Sequence, residues 1–147
     1  SLKDLKISYL TVHLSSGLSA LKAIKQDSKN IKIAGVTTLT SLNNKDLKEI
    51  GYNKKVNELV RHQAKLAAKA KLDAIVCSGH EIRLVKKVFK KEVITPGIKM
   101  KNTQNDQKRI MKPKDAFAAG SDWLVIGRSI TNGNIKKNIK YFLENCL

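Results

Sequence analysis

Two cysteines, Cys77 and Cys146, are too few for a disulfide framework, and no spacing of Cys with His resembles a metal site. Cys77 ends an apolar run and reads as a small core residue, not a nucleophile. Prolines are confined to Pro96 and Pro113, and no low-complexity linker divides the chain, so residues 1–147 are expected to form a single domain. No apolar run approaches the roughly 20 residues that cross a bilayer, and the opening S-L-K-D-L-K lacks the apolar core of a signal peptide. A cytoplasmic location without a membrane partner is the expectation. Acidic residues are scarce, 12 against 29 basic, for a net charge of +17. Such an excess suits polyanions, yet only Arg61, Arg83, Arg109 and Arg128 are arginines, and the lysines are spread over every segment. Scattered point charges without a patch imply nucleic-acid contact of a nonspecific, salt-sensitive kind only.

What the chain does have is a regular alternation. Strands are expected over 10–13, 31–37, 74–77, 93–95 and 123–126, separated by helices over 18–26, 45–50, 56–71, 81–89 and 113–119 and closed by a helix over 135–146. Asn44 is the expected cap of the second helix and Gly51 its stop. S-G-H-E at 78–81 has the form of a capping box. The apolar positions Val56, Leu59, Val60, Ala64, Ala67 and Ala68 keep helical spacing, as do Ile135, Ile139, Phe142 and Leu143, which are expected to face inward; Ala116 and Phe117 are expected to pack the helix that Pro113 opens. Five strand–helix units in succession imply an α/β fold with a parallel sheet, and 147 residues compare with about 250 for a whole βα barrel.

Two apolar runs stop abruptly in residues suited to an anion. Pro96 and Gly97 turn the chain after the first; after the second, Gly127 allows close backbone approach and Arg128 supplies a forked donor. In a βα barrel the loops after the last strands frequently hold phosphate. The intervening loop over 98–111 is long for such a connection, which points to function.

The ordered set T-P-G-I, D-Q-x-R-I-M, A-x-x-A-G-x-D and V-I-G-R-x-I-T resembles the last part of a bacterial orotidine 5'-phosphate decarboxylase. The resemblance extends upstream through L-T-V-H at 10–13, G-V-T-T-L-T-S at 35–41 and L-D-A-I-V-C-S-G-H-E at 72–81. It implies a partial (βα) TIM-type barrel of about five parallel units corresponding to the later strands, a phosphorylated nucleotide (OMP or UMP) as ligand, and neither metal nor cofactor. Carried over residue by residue, it assigns substrate binding to Thr40, Lys99, Gln107, Gly127 and Arg128. No stretch matches the early strands whose Asp and Lys residues do the chemistry in that family, so no catalytic residue is assigned. A separate chain supplying those strands, or a homodimer, is the implied partner.

Asp4-Leu5-Lys6 and Asp46-Leu47-Lys48 each spell the D-L-K that begins the family's catalytic motif, but neither continues as it does, and both read as helix-surface charges. Lys99 stands where the family has arginine, keeping the charge and losing the fork; Asn105 replaces a glycine, and Lys112 replaces a capping threonine. The functions weighed are therefore the phosphate-binding part of such a decarboxylase, an inactive remnant with weak phosphate-ligand binding, and a nonspecific polyanion-binding protein.

Overall fold

A computed structural model describes residues 6–38, 42–100 and 111–147. Strands β1 (Tyr9–His13), β2 (Lys32–Val36), β3 (Ala74–Val76), β4 (Glu92–Thr95) and β5 (Trp123–Leu124) form one sheet. All pairings are parallel, and the spatial order repeats the chain order, β1-β2-β3-β4-β5. The order shows no reversal of the kind that marks a doubly wound sheet. Helices α1 (Leu18–Asp27), α2 (Asn44–Glu49), α3 (Val56–Lys69), α4 (Ile82–Val88) and α5 (Pro113–Ala119) lie in the connections, and α6 (Arg128–Thr131) and α7 (Ile135–Asn145) follow β5. The expected partial barrel of five parallel βα units is thus what the chain forms.

The strands are buried because parallel sheets need cover. Ile33, Ala34, Ile75 and Val93 are wholly inaccessible, and helix residues Leu21, Leu59, Val60, Ala64, Ala67, Ile82 and Val85 close over the sheet. Gly120, at φ 107°, ends α5 in the left-handed region, which the missing Cβ permits.

Curvature is visible at the N-terminal ends of the strands. Tyr9 on β1 donates its hydroxyl to Glu92 on β4, three strands away, a separation of roughly 14 Å in a flat sheet. Only a curled sheet brings these side chains together. Lys32 Nζ joins them at 2.5 Å from Glu92 Oε1, and Trp123 Nε1 donates to Glu92 Oε2 at 2.9 Å. A repeated device fixes the same end. The Asp73 carboxylate accepts the Ile33 amide at 2.9 Å and pairs with Lys25 of α1 at 2.6 Å; Asp122 accepts the Val93 amide at 2.7 Å and pairs with Lys86 of α4 at 2.7 Å.

These bonds have a pH signature. Burial pushes the Asp73 carboxyl upward, but the Lys25 ammonium, the Ile33 amide and the Lys91 charge outweigh it and hold the group below the ordinary range. At Glu92 burial is likewise outweighed, by bonds from Lys32, Tyr9 and Trp123. A carboxylate with a depressed folded-state pKa contributes stability above its unfolded value and loses it as pH falls through the folded value. Urea midpoints should therefore hold steady near neutrality and drop below about pH 4. Glu92→Gln should flatten that drop; an identical acid limb in the variant would show that Glu92 carries none of it.

The structure corrects several sequence expectations. Asn43, not Asn44, caps α2, with Asp46 as its capping-box partner; Asn44 reaches forward and accepts the amide of Val56, the first residue of α3, at 3.0 Å. The Ser78 hydroxyl bonds the Glu81 carboxylate side chain to side chain, so the S-x-x-E pair meets without the backbone bonds of a capping box, and one 3-10 turn (Gly79–Glu81) precedes α4. On α3, Ala68 is exposed and Gln63 takes a buried place, because the packed stripe runs through 56, 59, 60, 63, 64 and 67. Phe117 is exposed beside a fully buried Ala116.

The largest correction concerns α7, where Ile135, Ile139 and Leu143 are 49%, 43% and 58% exposed. Helical spacing dictates that they share a face; it does not supply an element for that face to meet. Among the described residues α7 packs chiefly on α6.

Candidate functional site

Because every strand runs the same way, all five C-terminal ends reach one rim. The register sets His13 beside Val36, Val36 beside Val76, Val76 beside Ile94 and Thr95 beside Leu124. The segments that leave this rim are Thr37–Thr38 from β2, Cys77–Ser78 from β3, Pro96–Gly97 from β4 and residues 125–128 from β5.

At the β4 end, Gly97 adopts φ 75°, the left-handed turn expected after Pro96. Ile98 is buried and forms a parallel bridge with Met111, and the Lys99 amide donates to the Met111 carbonyl at 3.3 Å. The two ends of the 98–111 connection are thereby held side by side. Met111 also packs on the 3-10 turn after β3: a Cβ added at Gly79 would lie 2.6 Å from its sulfur. Glycine at 79 thus makes room for the residue that closes the loop.

At the β5 end, the Thr95 and Ser121 hydroxyls meet at 2.7 Å in the interior, and Ser121 Oγ also donates to the Trp123 carbonyl at 2.9 Å. A buried polar contact of this kind is costly to break and locks the offset of β5 against β4. The Val125 amide continues the ladder to the Thr95 carbonyl at 2.9 Å. Gly127 then starts α6, its carbonyl accepting from the Ile130 amide at 2.8 Å, and Arg128 is the exposed first residue of that helix. At φ −89° Gly127 is not in the left-handed region, and a Cβ there would meet nothing within 4 Å. This chain's own packing therefore does not require glycine at 127.

Of the five residues singled out in the sequence, Lys99, Gly127 and Arg128 stand at the ends of the adjacent strands β4 and β5. Thr40 and Gln107 lie outside the described residues. Asp46, in one of the two D-L-K stretches, accepts the Asn43 amide at 2.8 Å as part of a helix cap, the structural role expected of it; Asp4, in the other, lies outside the described residues. Gln63 escapes sequence reasoning. It is buried behind the rim and accepts both the amide and the hydroxyl of Thr38, and a glutamine among alanines gives no signal of this in sequence.

Cys77 sits on the rim without the chemistry of a nucleophile. Burial, reinforced by the nearby Glu81 carboxylate, pushes its thiol up to about 12. The thiol form is unreactive, so iodoacetamide at pH 8 should leave Cys77 unmodified in the folded chain and alkylate it once urea unfolds the protein. Rapid labelling of the native chain at Cys77, read by mass spectrometry of its peptides, would refute this. Among the described residues no group of three or more His, Cys, Asp and Glu side chains is placed to hold a metal ion. No helix described is long and apolar enough to cross a membrane.

Comparison with known proteins gives consistent matches. A family profile described as "Orotidine 5'-phosphate decarboxylase / HUMPS family" matches residues 1–138. The orotidine 5'-phosphate decarboxylase of Wolbachia pipientis is 41% identical over 138 residues, covering 91% of this chain and 61% of the relative. That of Coxiella burnetii is 42% identical, covering 87% and 58%. The chain spans about three-fifths of the length of these curated relatives. Among solved structures, the crystal structure of the Lactobacillus acidophilus orotidine 5'-phosphate decarboxylase superposes with a TM-score of 0.82 at 26% identity, over 97% of this chain and 65% of that one. A Methanocaldococcus jannaschii enzyme complexed with inhibitor BMP shares the fold with a TM-score of 0.70 at 22% identity, over 95% and 61%.

Proposed function

This chain belongs to the orotidine 5'-phosphate decarboxylase / HUMPS family, and on that premise we propose that residues 1–147 act as one domain forming the phosphate-holding part of a decarboxylase site that converts OMP to UMP and CO2. In this reading Arg128 clamps two phosphate oxygens, Lys99 adds a point charge from the neighbouring strand end, and Gly127 lets the backbone approach. Thr40 and Gln107 complete the ligand contacts. The observation that supports it best is that Lys99 and the Gly127-Arg128 pair, 28 residues apart in sequence, leave adjacent parallel strands on one rim. Barrels of this architecture frequently hold phosphate there.

The charge chemistry at the reacting carbon belongs, in this reading, to Asp and Lys residues that no stretch of the 147 matches, so a segment carrying them must come together with this rim. A cytoplasmic setting follows from the nucleotide substrate. The polyanion alternative draws less support, since only four of the 29 basic residues are arginines and the lysines are spread over every segment without a patch. Titration of the isotope-labelled chain with UMP tests the proposal: amide shifts at residues 97–99 and 127–128 support it, and shifts confined elsewhere contradict it.

A further inference from the structure

Three open features meet at one side of the sheet. Strand β5 is an edge, with β4 on one side and, among the described residues, no strand on the other. Its side chains divide by face: Leu124 and Ile126 pack against the core, whereas Trp123 and Val125 are more than half exposed. Trp123 bonds Glu92, which also meets Tyr9 across the curled sheet, so the open face is the concave one, and Val125, two residues on, shares it. The third feature is the stripe on α7. Asn138 Nδ2 donates to the Ile130 and Asn132 carbonyls at 2.9 and 2.8 Å and marks the side that α7 turns to α6. At 3.6 residues per turn, Ile139 and Leu143 lie about 100° and about 140° further round. The stripe therefore looks sideways, along the layer in which α4 packs on α3 and α5 on α4.

We propose that this side of the chain is a docking surface for a separate strand–helix segment, whose strand pairs with β5 and whose helix covers Ile139 and Leu143. The proposal rests on the reading that a segment carrying the chemistry joins this rim. An edge strand is a template for another strand, and a strand laid beside β5 brings its own concave-face side chains against Trp123 and Val125. A helix alone, or an anionic lipid surface drawn to Lys136, Lys137 and Lys140, covers α7 and leaves the β5 edge and Trp123 open. A second copy is opposed by charge, because it brings together two chains of +17. The matched relatives carry about two-fifths of their length outside the match, a source of segments of the required kind.

The test uses the 147-residue chain and, as probe, the part of the Wolbachia pipientis relative that lies outside the match, refolded together with the chain from urea. Trp123 is the single tryptophan, so 5-fluorotryptophan labelling of the chain puts one fluorine reporter on the surface. The two polypeptides should co-elute, the fluorine signal should shift, and the amides at 124–126 should exchange about tenfold more slowly or better. Val125→Lys, and Ile139→Lys with Leu143→Lys, should each weaken the complex about tenfold or more, because each buries a charge. Lys137→Ala, on the opposite flank of α7, should leave it unchanged. Should Val125→Lys disturb β5, the exposed α7 pair still decides. Absence of a complex, a complex that leaves the fluorine signal unmoved, or α7 variants that bind as tightly as the parent overturn the proposal. A signal that moves instead with the chain's own concentration, or with phosphatidylglycerol vesicles, assigns the surface to a second copy or a lipid and overturns it too. UMP shifts at residues 97–99 and 127–128 of the chain alone keep the phosphate reading if docking fails; docking without those shifts sinks that reading and leaves the surface.

Discussion

Replacing Arg128 by alanine is expected to weaken UMP binding by about 1.5–3 kcal/mol, the range for a hydrogen bond to a charged group, or roughly 10- to 150-fold. A guanidinium offers two parallel N–H donors to two phosphate oxygens, and at the first position of α6 its backbone is fixed by the Asn132 and Thr131 amides bonding back to residues 128 and 127. Lys99→Ala should cost less, because an ammonium acts as a point charge without the planar fork. Lys99→Arg should tighten binding by restoring the fork. Isothermal titration of UMP and of inorganic phosphate into each variant decides the order. An Arg128→Ala variant that binds as tightly as the parent would show that the phosphate is held elsewhere.

The second large effect falls on stability. A Cβ at Gly35, in the middle of β2, would lie 2.6 Å from Leu14 Cδ2 and 2.9 Å from Leu72 Cδ1. Both leucines are almost wholly buried, at 1% and 0% exposure, so neither has room to turn aside. Gly35→Ala gains about 0.5–1 kcal/mol from reduced freedom of the unfolded chain, but overpacking costs about 1–3 kcal/mol and wins. Urea denaturation should show a lowered midpoint. Gly127→Ala is the instructive contrast. Its Cβ meets nothing within 4 Å, so no overlap of the kind at Gly35 arises, and UMP binding should fall. An unchanged midpoint for Gly35→Ala, together with unchanged UMP binding for Gly127→Ala, would reverse the assignment of which glycine serves the fold and which serves the ligand.

Much of this architecture is legible in the sequence, for local reasons. Parallel strands announce themselves as short apolar runs, and the turns at Gly97 and Gly120 need a residue that tolerates positive φ. Those signals place the rim and, with it, Lys99 and Arg128. What fails to show is whatever depends on curvature or on partners distant in sequence. Tyr9 and Glu92 are 83 residues apart and meet only because the sheet curls. Gln63 reads as one more polar residue on a solvated face until α3 is docked behind β2. The stripe of Ile135, Ile139 and Leu143 reads as core because helical spacing reports which residues share a side and is silent on what lies opposite. Thr40 and Gln107 rest on resemblance alone.

In the reading proposed for this rim, the 147 residues carry the grip on the phosphate and not the chemical centre. Incubating the purified chain with orotidine 5'-monophosphate and following orotidylate absorbance tests this most directly. The expected result is no loss of absorbance above the uncatalysed background, in a sample where UMP still shifts the Gly127 and Arg128 amides. Turnover by the chain alone, abolished by Asp4→Ala or Lys6→Ala, would contradict it and make the first D-L-K stretch catalytic.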